Sequence, residues 1–166
     1  MQADIVRFVP SNLKVVEAAL KLAEIRAGED VVYDLGTGDG RFVIASVQPP
    51  FYARKAVGFE SKTFLAEVAS DNVRKLNLQN KIEILNADFF NHNLSDADVV
   101  YMYLEELVEK VKPKLEHELR PMSRVISHNY EIRGWKPSKT VNVIAPKGDQ
   151  GPFLLRPLYM YRMGEI

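Results

Sequence analysis

A glycine-rich turn and three acidic residues carry the chemistry legible in this chain. In Val31-Val32-Tyr33-Asp34-Leu35-Gly36-Thr37-Gly38-Asp39-Gly40, an apolar run ends at an acid and is followed by three alternating glycines. Such glycines let the backbone turn tightly and remove the Cβ atoms that would hold a ligand away. The helix expected to open near Gly40 aims unpaired N–H groups into the same crevice. A nucleotide-type ligand at the end of the first strand of an α/β sheet is the natural occupant. The dinucleotide fingerprint separates its last two glycines by two residues, which brings a helix N-terminus onto a pyrophosphate. Here the pattern is Gly-x-Gly-x-Gly, and the Asp34 carboxylate would repel a phosphate. A cationic ligand suits the turn. S-adenosylmethionine fits, since it carries an ammonium and a sulfonium and no phosphate.

Two more acids follow apolar runs. Glu60 ends Ala56-Val57-Gly58-Phe59-Glu60, at a distance from Gly36 that in a βαβ unit brings an acid to a ribose diol. Asp88 follows Lys81-Ile82-Glu83-Ile84-Leu85 and can accept from an adenine amine, with Phe89 adding a backbone N–H and a ring. A hydrogen bond to a charged group contributes about 1.5–3 kcal/mol. Taken singly, each acid reads as an exposed loop residue; at three successive strand ends they read as one crevice. Tyr103 and His128 follow the fourth and fifth apolar runs, where they could orient an acceptor group. A hydrogen-bonded structural histidine is the competing account of His128. Glu105 either attracts an incoming ammonium or faces water.

The elements that must position these residues are readable from periodicity. Ser11 is the expected cap of a helix carrying Leu13, Val16, Leu20 and Ala23, which ends before Gly28. Phe42 to Ala45 open an apolar helix of about two turns, stopped by Gln48-Pro49-Pro50. Ser61 could cap a helix with Leu65, Val68, Ala69, Val73 and Leu76 on one stripe. Strands are expected at 98–102 and 124–128, separated by a helix through Val108 and Val111. Pro113 either ends or kinks that helix, or begins a continuation through Leu115 and Leu119. An antiparallel hairpin over 140–163 closes the chain, its last strand starting after Pro157, which cannot donate in a ladder.

The chain has 166 residues, enough for one domain with a substantial core. No apolar run reaches membrane-spanning length and the start lacks the pattern of a signal peptide, so a cytoplasmic protein without membrane partners is expected. The absence of cysteine excludes disulfides, thiolate metal sites and the covalent thiolate route to methylating cytosine C5. No spacing suggests a metal site. Lys plus Arg and Asp plus Glu number 22 each, yet from Arg120 onward eight bases face three acids, whereas 61–119 carry seven against eleven. That asymmetry is a surface field, and no interleaved basic and aromatic pattern marks a nucleic-acid footprint.

With these residues in place the chain resembles the class I, seven-strand S-adenosylmethionine-dependent methyltransferases over nearly its whole length. Within that class it resembles the small archaeal protein-lysine methyltransferases and their bacterial and mitochondrial relatives. Phe8-Val9-Pro10-Ser11, Val32 to Gly36 with Asp39-Gly40-Arg41, Lys112 to Glu116, Arg124 to His128, and Arg133-Gly134-Trp135 carry the likeness. The resemblance implies a Rossmann-like α/β sheet, mostly parallel with an antiparallel C-terminal strand, in the order 3-2-1-4-5-7-6 and with helices on both faces. It implies S-adenosylmethionine bound by Asp34, Gly36, Thr37, Gly38, Glu60, Asp88 and Phe89. Phe8, Val9 and Pro10, in an N-terminal segment spanning 1–11, would fold over it as a lid. Tyr103-Leu104 would border the transfer site. Thr37 stands where the family usually has cysteine, and Glu105-Glu106-Leu107 replaces a longer, asparagine-containing stretch.

Three functions are consistent with these features. One is a methyltransferase acting on lysine amines of proteins, with Tyr103 and His128 at the amine; its partners are proteins presenting exposed lysines, and the chain is expected to be a monomer. The second is a methyltransferase for RNA or a small metabolite, although the Asn/Asp-Pro-Pro-aromatic motif of nucleic-acid amino-methylating enzymes is absent after the fourth strand, where Tyr101-Met102-Tyr103-Leu104 stands. The third is a non-catalytic S-adenosylmethionine-binding module.

Overall fold

Seven strands form one sheet in the computed structural model, which describes residues 8–166. They are β1 (Val31–Leu35), β2 (Lys55–Glu60), β3 (Ile82–Asn86), β4 (Val99–Met102), β5 (Arg124–His128), β6 (Lys139–Pro146) and β7 (Phe153–Arg162). The order is 3-2-1-4-5-7-6, as expected from the family resemblance. β1 pairs in parallel with β2 and β4, β2 with β3, and β4 with β5, while β7 runs antiparallel between β5 and β6. β1, β4 and β5 are buried along their whole length, which is why their sequences read as continuous apolar runs rather than as alternations.

Helices α1 (Leu13–Leu22), α2 (Arg41–Val47), α3 (Thr63–Lys75) and α4 (Val108–Glu118) cover the sheet. One apolar cluster joins α1 and α2 to Val32, Tyr101, Ile126, Leu158 and Met160; a second joins α4 to Tyr33, Met102, Val125 and Tyr161. Alternation along each strand sends neighbouring residues to opposite clusters. No helix among the described residues is long and apolar enough to cross a membrane.

Four local expectations are corrected. Asn12, not Ser11, caps α1, its side chain accepting from Lys14 N at 3.0 Å; the Ser11 hydroxyl is drawn inward instead. Lys62 rather than Ser61 occupies the cap position of α3. Pro113 lies inside α4 and neither ends nor restarts it. It removes one backbone donor, and the buried Val111 and Leu115 on either side hold the helix against the sheet. β7 begins at Phe153 and runs through Pro157. The last β5 pair is His128 with Leu158, so Pro157 lies just past the β5 ladder and no bond requires its missing N–H. Its carbonyl still accepts from Asn129 N at 2.8 Å.

Candidate active site

The carboxyl ends of the parallel strands β3, β2, β1, β4 and β5 share one edge of the sheet, the place where such sheets take ligands in a crevice, and the glycine turn follows the central β1. Gly36, Gly38 and Gly40 all have positive φ, at 91°, 58° and 84°. The turn is pinned to β2 by Gly36 N and Thr37 N, which both donate to Phe59 O at 2.9 and 2.8 Å. Thr37 is buried and fills the space over Gly58, where a Cβ would come within 2.7 Å of its methyl carbon. The glycine inside β2 is therefore a requirement of the turn, a pairing the periodicity of β2 did not reveal.

Glu60 is buried at the end of β2, with each oxygen held by backbone. Gly38 N donates to Oε2 at 3.0 Å and Lys62 N to Oε1 at 2.9 Å. Each oxygen retains a second lone pair, the capacity a vicinal diol requires. Asp88 caps a short 3-10 turn, Phe89–Asn91, by accepting from Phe90 N at 2.9 Å, and Phe89 is buried beside it. Asp34 is buried within β1, and burial pushes its carboxyl up to about 7; the Thr37 hydroxyl opposes that rise, while the Glu60 and Asp39 charges add to it. An acid so placed is short of positive charge. A ligand ammonium would supply it, as would be expected for S-adenosylmethionine. Asp34, the glycine turn, Glu60 and Asp88 thus suit its amine, ribose and adenine in turn.

The segment at 8–12 lies over this crevice. The Phe8 ring packs so closely on Gly38 that a Cβ there would lie 2.1 Å from Cε2. Val9 and Pro10 rest against Gly148 in the β6–β7 turn, and Asn12 Nδ2 donates to Gly148 O at 3.1 Å. Arg41, at the start of α2, gathers the three pieces. It donates to Asp39 of the glycine turn at 2.7 Å, to Ser11 O at 3.0 Å and to Asp149 of the hairpin turn at 2.7 Å. Residues 1–7 of the expected lid lie outside the described residues. Arg41 entered the sequence reading only as part of the glycine-turn likeness; its partner Asp149 is too distant in sequence to have been found.

On the other side of the crevice stand the expected acceptor residues. Tyr103 stacks on His128 with ring centroids 4.0 Å apart, and Tyr130 lies 6.2 Å beyond it. His128 Nδ1 is 2.9 Å from the Tyr101 hydroxyl, which is 2.8 Å from Ser11 Oγ. Tyr101 itself stacks on Phe42 of α2 at 3.9 Å. Burial, with a smaller contribution from the Arg156 charge, drives His128 down to about 3. The imidazole is therefore neutral near pH 7, stacked on Tyr103 and hydrogen-bonded to Tyr101. Burial raises the Tyr103 phenol above its ordinary value.

Three residues of this half escaped the sequence reading. Asn129 adopts φ 68° just past β5, donates from Nδ2 toward the Tyr103 hydroxyl at 3.4 Å, and leaves a buried Oδ1 without a partner. Tyr130 accepts the Ser127 hydroxyl through its carbonyl and completes the aromatic stack. Arg156 arrives from β7. The run His128-Asn129-Tyr130 directly after a buried strand was the available signal for the first two. Arg133-Gly134-Trp135 lies away from the crevice: Arg133 O accepts from Lys112 Nζ and Trp135 Nε1 donates to Glu116 at 2.8 Å, tying this stretch to α4.

Comparison with known proteins agrees with this geometry. Residues 34–139 match the ANTKMT methyltransferase domain. A protein-lysine N-methyltransferase of Saccharolobus islandicus is 38% identical over 161 residues, 96% of this chain and 95% of its own. The adenine nucleotide translocase lysine N-methyltransferase of Mus musculus is 29% identical over 82% of this chain, and the match spans 58% of that protein's length. Among solved structures, an RNA methyltransferase from Salinibacter ruber in complex with S-adenosyl-L-homocysteine superposes with a TM-score of 0.83. It is 31% identical, and the match covers 95% of this chain and 96% of that one. Residues 34–139 run from the acid that opens the glycine turn, through the second and third acids, to the first residue of β6, so the family match takes in both halves of the crevice, and the chain belongs to the ANTKMT methyltransferase domain family and is an S-adenosylmethionine-dependent methyltransferase.

Proposed function

We propose that the chain methylates lysine side-chain amines of proteins, with the amine held between Tyr103 and Asn129. The observation that carries the acceptor is the buried, unpartnered Asn129 Oδ1 beside the Tyr103 hydroxyl, within an aromatic wall of Tyr103, His128 and Tyr130. A neutral or charged amine is a donor that fits such an acceptor. The relatives named as lysine methyltransferases support the same choice.

When bound, the cofactor would supply a sulfonium methyl open to in-line attack by a free amine, with the neutral thioether as the leaving group. The protein contributes alignment and exclusion of water. Asp34 answers the cofactor ammonium, Glu60 the ribose hydroxyls and Asp88 the adenine amine; Thr37 keeps the glycine turn in shape. Phe8, Val9 and Pro10 close over them. Leu104 packs toward Gly36, its Cδ2 lying 3.6 Å from where a Cβ would stand, and joins the two halves. A lysine ammonium must shed its proton, which at neutral pH costs about 4–5 kcal/mol from an ordinary value near 10.4. Burial among aromatic rings favours the uncharged amine. Tyr103 and Asn129 then fix the direction of its lone pair, and His128 is the platform on which Tyr103 rests.

The test is to incubate purified chain and cofactor with protein, RNA and metabolite pools in parallel and to locate label by mass spectrometry. Methyl increments on exposed lysines, with activity rising from about pH 7 to 9 as free amine accumulates, are the expected result. Label in RNA or a metabolite with unmodified lysines overturns the acceptor and leaves the cofactor half intact. Binding of cofactor without transfer to any pool would identify a non-catalytic module.

A further inference from the structure

Two arginines among the described residues are almost wholly buried, and only one of them has its charge paired. Arg124, 5% exposed, sits at the start of β5 with Asp30 at 2.8 Å and the carbonyls of Ala23 and Glu24 at 3.0 and 2.8 Å, so that its charge is paired although its Nε lacks a hydrogen-bond partner. Arg156, 8% exposed, forms no ion pair among the described residues, and its Nε and Nη2 are both buried with no hydrogen-bond partner. An arginine remains charged in any protein environment, so an unpaired guanidinium taken out of water is strongly unfavourable unless something answers it.

The place of Arg156 says what would. It precedes Leu158 by two residues, so its side chain leaves the face of the sheet that carries Leu158, Ile126 and Tyr101. Leu158 pairs with His128, the last residue of β5, which puts Arg156 just beyond the strand end, at the mouth of the crevice. Its charge is felt by Tyr103, Tyr130 and His128. The charges that reach Asp34 are instead those of Glu60 and Asp39. Arg156 therefore belongs to the acceptor half. Nε–H and one N–H of Nη2 point in parallel along one edge of the guanidinium, the edge that takes both oxygens of a carboxylate at once.

We propose that Arg156 is a carboxylate-binding site at the rim of the acceptor pocket, filled side-on by an acidic residue close to the target lysine of the substrate protein. The assignment rests on the lysine reading above. The one other carboxylate that enters this crevice is that of the cofactor's amino-acid end, and the same chemistry would hold it. An arginine here makes the enzyme selective: an acid near the lysine gains a partner, and its amide counterpart leaves the guanidinium unanswered.

The test observes the guanidinium directly, through the Nε–Hε resonance of Arg156 in nitrogen-labelled protein. The protein is titrated with S-adenosylhomocysteine, and then, saturated with it, with lysine peptides bearing glutamate or glutamine at each neighbouring position. A shift with a glutamate peptide and not with its glutamine twin is expected. A shift with S-adenosylhomocysteine alone keeps the carboxylate site and reassigns it to the cofactor. A resonance that none of these moves overturns the site.

Kinetics provide the second arm. Wild type should prefer the favoured glutamate peptide by about tenfold in kcat/KM, and R156K, which keeps the charge and loses the fork, should bring that ratio close to one with cofactor affinity unchanged. Preference intact in folded R156K overturns the substrate assignment; if R156K does not fold, the resonance arm decides. Should no lysine peptide be methylated while the resonance still shifts, the lysine reading fails and the carboxylate site stands.

Discussion

The two halves of the crevice are built on different principles. On the β1–β2–β3 side most polar groups are answered locally, the Glu60 oxygens by Gly38 N and Lys62 N, the Asp88 carboxylate by Phe90 N and the glycine turn by Phe59 O, with the buried Thr37 hydroxyl the exception. On the β4–β5–β7 side, aromatic rings surround polar atoms that lack partners, namely Asn129 Oδ1, His128 Nε2 and the Nε and Nη2 of Arg156. Preorganised backbone suits a ligand of fixed shape, because little must reorder when it binds. Buried polar atoms waiting for partners suit an acceptor whose identity is to be discriminated, since a wrong ligand leaves them unanswered.

The largest effect that would test this contrast is on the cofactor side. Glu60→Ala removes the acceptor of two backbone N–H groups and of the ribose diol, and cofactor affinity should fall between about tenfold and a hundredfold, the net equivalent of one charge-assisted bond of about 1.5–3 kcal/mol. Calorimetry measures it, and an unchanged Kd would erase the distinction between the halves. Tyr103→Phe should do the reverse. Turnover drops about tenfold for one lost orienting bond while cofactor affinity holds, a split visible by measuring kcat and Kd on the same preparation. Equal losses in both would merge the two halves into one.

A third effect is pH-dependent and local to Asp34. Its native value, about 7, lies above the ordinary 3.8. The native chain therefore retains a proton that the unfolded chain releases, and the contribution of this group to stability falls as pH rises across that window. A cationic ligand draws out the ionised form. Affinity for cofactor should accordingly rise roughly eightfold between about pH 6 and 7.5, and Asp34→Asn should flatten the curve. An affinity that is flat in wild type would show that the ammonium is answered elsewhere.

The smallest effect concerns the seam between the halves. The Tyr101 hydroxyl joins Ser11 of the covering segment to His128 of β5. Tyr101→Phe should cost about 1 kcal/mol and speed amide exchange at Phe8 and Val9 by about fivefold, the same amides that cofactor should protect. Exchange unmoved both by the substitution and by cofactor would mean that 8–12 is not a lid.

The legibility of each half in the sequence follows from the same difference in construction. Asp34, Glu60 and Asp88 each end or follow a recognisable strand, and the parallel order brings successive strand ends to one edge, so residue type and spacing sufficed to place them together. Neither Gly58 nor Arg41 announces its partner: Thr37 and Asp149 meet them across strands and loops. Ser11 had the residue type of a cap, yet Asn12 took that position because the Ser11 hydroxyl is held by Tyr101. Proline at 157 argues against a strand, yet β7 runs through it with Asn142 of β6 as its partner; that β5 ends at His128 and requires no donor there is decided by register alone.

What this sequence determined by itself is the chemistry of short range: a glycine turn that only positive φ can make, acids at strand ends, and apolar runs whose length marks buried parallel strands. Those signals lie within single βα units, and local backbone geometry is sufficient to express them. The acceptor side was decided by tertiary structure. Tyr103, Asn129, Tyr130 and Arg156 come from separate strands and loops, and Arg156 lies on a strand whose antiparallel entry between β5 and β6 sets which end of it faces the crevice. Whether a charged side chain is solvated or buried without a partner depends on everything packed around it, which no spacing along the chain encodes.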